Sequence, residues 1–122
     1  MKKLLLILVA LAIATPVFAE ITKKTVVDRM EILENGIIQV RFGLVLIEDG
    51  EEISRTYHRT SLPPGTNIDS QMIAVNNNLS DMKKETVSTT EIDKIKDHAN
   101  VSWTATVVKD YQDKQILEKL DI

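Results

Sequence analysis

The sequence predicts an α+β fold, a three-stranded antiparallel β-meander packed against C-terminal helices, and three observations predict it. Two hairpin dipeptides, Asn35-Gly36 and Asp49-Gly50, divide a stretch rich in Val, Ile, Leu and Phe into three runs. Apolar residues alternate at period two along the middle run, the pattern of a half-buried strand. Beyond Ser88 the apolar spacing lengthens to three and four residues, the pattern of an amphipathic helix.

In chain order, the first segment is an address and not part of that fold. Lys2 and Lys3 precede an apolar run from Leu4 to Ala14, and Val17 and Ala19 stand at the minus-three and minus-one positions before Glu20. This is the pattern of a secretory signal peptide over residues 1–19, cleaved after Ala19. A membrane-spanning helix needs about 20 apolar residues. Leu4 to Phe18 supplies fifteen, with Pro16 among them. The expectation is therefore a periplasmic or secreted product with no membrane segment after cleavage.

What remains is one small domain of 103 residues, 20–122. Without Lys2 and Lys3 the 15 basic side chains fall to 13 against 18 acidic ones, a formal charge of −5. A mildly acidic surface with no basic stripe argues against nucleic acid as partner. The chain has no cysteine, which excludes disulfides, thiol catalysis and thiolate metal sites.

The strands are expected at Thr25 to Leu33, Ile37 to Ile47 and Glu52 to Arg59, a meander over 25–59. Ile38, Val40, Phe42, Leu44 and Leu46 share one face of the central strand and form the candidate core. A three-residue loop with Gly36 left-handed sets Ile32, Met30 and Val26 against Ile38, Val40 and Leu44. A two-residue Asp49-Gly50 loop sets Ile53 against Leu46 and Tyr57 against Phe42. In that register Tyr57 joins the apolar face with Arg55 and Arg59 at its margin, and His58 points the other way.

Pro63, Pro64 and Gly65 stop the sheet, and 66–87 reads as a loop or insertion. Within it Met72 to Val75 fits a short strand or one helical turn, and Asn76 to Asn78 favour neither. The helical part is 88–120. Ser88 and Glu91 have the spacing of a capping box ahead of Ile92, Ile95, Ala99 and Trp103. Asn100 to Ser102 is expected to interrupt this helix, and Thr104 to cap another carrying Val107, Val108, Tyr111, Leu117 and Leu120. The end of the chain, "KDYQDKQILEKLDI", either closes on the domain or projects from it and pairs with a second copy as a homo-oligomer. Burying each large side chain between sheet and helices contributes on the order of 1.5–3 kcal/mol, and Phe42 and Trp103 are the positions where alanine is expected to cost most.

Residues that carry chemistry are few. His58 and His98 are forty residues apart, and no HxxH, HExxH or DxDxDG spacing supports a metal. Glu48, Asp49, Glu51 and Glu52 read as a solvated hairpin tip, because calcium needs six or more oxygens converging on one point. There is no GxSxG elbow and no phosphate-binding glycine loop. No cofactor and no catalytic residue is expected. Arg55, Tyr57, His58 and Arg59 stand out as one basic, aromatic-bearing edge on an acidic domain, and they are the candidate binding residues for an acidic protein partner.

Three segments, "MEILENGIIQVR", "LIEDGEEISRTYHRTSLPPG" and "HANVSWTATVVKDYQ", carry a resemblance. Their order resembles a family of short, uncharacterised proteins of tailed phages, often marine phages, with an ENG/EDG meander, a YHR…PG loop and a C-terminal WT…VVxxY helix. The segments span about half of the chain beyond Ala19. The resemblance implies the fold outline and a phage or prophage origin, and it implies no activity. The chain departs from the family in its export signal and in an apparent insertion around Met72 to Val87. The function expected on these grounds is that of an exported, non-enzymatic accessory or structural protein working through protein–protein contact. The alternative is a host periplasmic binding or inhibitor protein unrelated to virions.

Overall fold

A computed structural model of the chain describes residues 20–120. The signal peptide expected over residues 1–19, with its cleavage point at Ala19, lies outside the described residues. Strands β1 (Ile21–Ile32), β2 (Ile38–Glu48) and β3 (Glu51–Leu62) form an antiparallel sheet in that order, followed by helices α1 (Ile68–Asp81), α2 (Thr89–Ser102) and α3 (Ala105–Leu120). The meander and C-terminal helices are those the patterning predicts. Each outer strand is longer than the sequence pattern marks out.

The first hairpin turns through Glu34, Asn35 and Gly36 as a three-residue loop, with Leu33 bonded to Ile37 and Ile32 opposite Ile38. Met30 meets Val40 as expected, but Val26 meets Gly43 in place of Leu44. The reason is a bulge at Asp28, which absorbs one residue of β1 and sets Val27 opposite Phe42. The second turn is the two-residue Asp49-Gly50 loop, both residues having positive φ (50° and 84°), which matches the twist of a tight hairpin. Three residues later β3 bulges at Ile53, so Ser54 and not Ile53 pairs with Leu46. Everything from Ser54 to Leu62 is thereby shifted by one. His58 lies opposite Phe42 and Tyr57 opposite Gly43, the reverse of the faces expected for these two residues.

Within the loop or insertion expected over 66–87, residues 68–81 form a helix, and the reason is physical. Ile68, Met72, Val75 and Leu79 fall at successive turns of α1 and are all buried. That stripe outweighs the weak helix preference of the Asn76–Asn78 run. The Asn67 side chain accepts from the Ser70 amide at 3.0 Å and starts the helix. Asn76 is structural: its carboxamide accepts from the Val87 amide (2.8 Å) and donates to the Val87 carbonyl (3.3 Å), tying α1 to the segment before α2. The helix closes with Lys84 donating to Leu79 and Lys83 to Ser80, paired bonds that require Lys83 in a left-handed conformation (φ 58°).

Ser88 caps α2 by accepting from the Glu91 amide. The Glu91 carboxylate does not close the capping box on Ser88; one of its oxygens accepts from the Val27 amide (3.3 Å), beside the bulge in β1. Nor do Asn100 to Ser102 interrupt the helix, which runs on to Ser102 and is stopped at Trp103. The Trp103 indole N–H donates to the Gly36 carbonyl at 2.7 Å, fastening the end of α2 to the first turn. Thr104 caps α3 through the Val107 amide. Val107 in turn lies against Gly36, where a Cβ would come within 2.5 Å of it and the φ of +92° already favours glycine.

Ile38, Val40, Phe42 and Leu62 from one face of the sheet form a single core with the buried stripes of α1 and α2 and with Val87. Helices α1 and α2 cover that face alone. The β1 edge is partly closed by a parallel bridge between Thr25 and Val87, with the Thr25 hydroxyl donating to the Glu85 carbonyl at 2.5 Å. The second face of the sheet is left to solvent.

Candidate binding face of the sheet

Alternation along the strands decides which side chains reach the open face. From β3 these are Arg55, Tyr57, Arg59 and Ser61, from β2 Gln39, Arg41, Gly43 and Val45, and from β1 Lys24, Val26, Arg29 and Glu31. Of the four candidate residues, the structure brings Arg55, Tyr57 and Arg59 together. His58 is separated from them: it points to the helix side, half-buried, with its ring stacked on Phe42 at 6.5 Å between centroids.

The organising group is Asp28, the extra residue of the β1 bulge. Its carboxylate accepts from Arg41 Nε at 2.6 Å and from Arg55 Nη1 at 2.8 Å. Arg55 reaches it from the far strand by crossing over Gly43, where a Cβ would stand 2.9 Å from the same Nη1 atom. The missing side chain of Gly43 is thus what allows a β3 arginine to reach a β1 carboxylate. Arg55 also holds Glu52 through Nη2 at 2.6 Å. Hydrogen bonding from Arg55 keeps the Glu52 carboxyl below its usual range, and the same bond raises Arg55. Arg41 lies over the Tyr57 ring at 4.5 Å from its centroid, so the central guanidinium is fixed by a carboxylate and an aromatic face together.

One rung away, three arginines face one another across the whole sheet. Arg29 pairs with Arg41 and Arg41 with Arg59. With Glu31, Gln39 and Ser61 on the next rung they line an open hollow of about 300 Å³. Arg29 and Arg59 have no ion-pair partner among the described residues. Sequence reasoning singled out Arg55, Tyr57 and Arg59 but missed Asp28, Arg29, Arg41 and Gly43. The signal that could have found the arginine row is the β3 register, since only with His58 opposite Phe42 do the three arginines align.

Among the described residues no group of three or more His, Asp or Glu side chains is placed to hold a metal ion, and no helix is long and apolar enough to cross a membrane. No protein-family profile, no curated protein and no solved structure matches the chain.

Proposed function

We propose that the protein is an exported accessory or structural protein of a tailed phage or prophage, working by protein–protein contact and not by catalysis. The observation that carries the contact reading is the one-sided packing of the sheet. Helices cover one face, and the other presents fixed guanidinium groups and Tyr57 to solvent on an otherwise acidic chain. Arginine and tyrosine are the residue types that contribute most at protein interfaces, because a planar cation and a rigid ring lose little freedom when a partner settles on them. Export rests on the basic, apolar and small-residue order of residues 1–19, and the phage origin on the resemblance carried by the two turns and the "SWT" segment.

Cells expressing the full 122-residue chain, and phage particles purified from a lysogen that carries its gene, provide the test. Fractionation followed by peptide mass spectrometry is expected to find the chain beginning at Glu20 in the periplasm, the medium or the particles. A chain confined to the cytoplasm, with residues 1–19 still attached, defeats the reading.

A further inference from the structure

We infer that the row Arg29–Arg41–Arg59, with the hollow beside it, is a carboxylate-binding site that takes an acidic segment of a partner protein. This rests on the contact reading above and names the chemistry of the partner. Like charges directly opposite on neighbouring strands oppose each other, and here the arrangement occurs twice on one rung. Asp28 and the Tyr57 ring offset the central charge and hold Arg41 in place. The two flanking guanidinium groups, Arg29 and Arg59, keep their full charge and their donors. Their backbones stand two strand spacings apart, roughly 10 Å, a separation that two carboxylates on one extended segment can span. Gln39 and Ser61 add neutral donors in the same hollow, and Glu31 is the single carboxylate on its rim.

The same face is poorly made for nucleic acid. The chain is net acidic, and Tyr57, half exposed with Arg41 over its ring, is the one aromatic side chain on this face among the described residues, so successive bases find no second ring to stack on. An acidic peptide needs no such ring. Two bidentate guanidinium contacts, weakened by salt, are enough to seat it.

The experiment uses protein purified from cells expressing the full chain, with hexa-aspartate as probe and an oligothymidylate of equal charge as comparator. Arginine side-chain and backbone amide resonances are followed by NMR at low and at physiological salt. Hexa-aspartate is expected to shift the Nε–H signals of Arg29 and Arg59 saturably, and Arg29→Gln or Arg59→Gln to weaken binding about tenfold, the loss of one charge-assisted contact. Lys84→Gln, an equal change of charge on the helix side, is expected to leave the affinity within twofold. No shift at the row, shifts centred elsewhere, equal weakening by Lys84→Gln, or tighter binding of the oligonucleotide each overturns the inference. If a Gln variant does not fold, the footprint on the unaltered protein decides alone. Failure here leaves the fractionation result standing, and failure of export and particle association leaves the footprint standing.

Discussion

At Asp28 strand β1 carries one residue more than its partner, and that extra residue holds two guanidinium groups from two other strands. A residue in regular register would spend its position on the ladder; a bulged one is re-aimed, here onto the open face. Arg55 divides its donors between Asp28 and Glu52, and the consequence for Glu52 is measurable. Its carboxyl titrates below the ordinary range because Arg55 donates to the ionised form. A depressed carboxylate supports the fold above that range and loses its contribution as pH falls through the depressed value. Arg55→Gln is therefore expected to move the Glu52 midpoint upward in a carboxyl-detected NMR titration. An unchanged midpoint would show that Arg55 does not hold Glu52 in solution.

At the scale of elements, both hairpins, the buried face of β2 and the helix after Ser88 were legible from turn residues and period alone. What was not legible was the register of β3. A strand ended at Arg59 leaves Leu62 out of the count, and Leu62 is the residue that decides. In the bulged register it sits opposite Ile38 with no exposed surface, whereas in the unbulged one it would face solvent. Ile53 and Tyr57 are about half exposed as a result, which is the cost of burying Leu62. Leu62→Ala is expected to destabilise by about 2–5 kcal/mol in denaturant titration, and a loss under 1 kcal/mol would mean that another contact sets the register. The candidate site shared this fate, because its arginine row exists only in the register that Leu62 selects. Helix α1 was missed for a different reason: three consecutive asparagines hid a stripe at helical spacing. Its ending leaves a lysine where glycine is the usual residue. Lys83→Gly is expected to raise stability by up to about 1 kcal/mol, read as a shift of the unfolding midpoint, and a fall would contradict the left-handed backbone found there.

On the scale of the whole molecule, the helices are unequal. Helices α1 and α2 supply all the helical side chains of the core, and α3 buries none. At 3.6 residues per turn Val107, Val108 and Tyr111 lie on one side of α3, and Ile116, Leu117 and Leu120 on the other, 57–76 % exposed. The first group reaches the end of the sheet, with Val107 against Gly36. The second group touches no other named element closely, so removing residues 116–122 is expected to change stability by less than about 0.5 kcal/mol. A larger loss in thermal unfolding would place those side chains on the domain. A further consequence belongs to Ile53. Because the ladder on either side of it is already in step, a gene that lost this one codon would encode the same sheet with the same two faces, whereas losing a codon between Ser54 and Leu62 with the bulge kept would exchange inside for outside from there onward. The bulge is a residue of slack, and it marks where the length of β3 can change without changing what the protein presents.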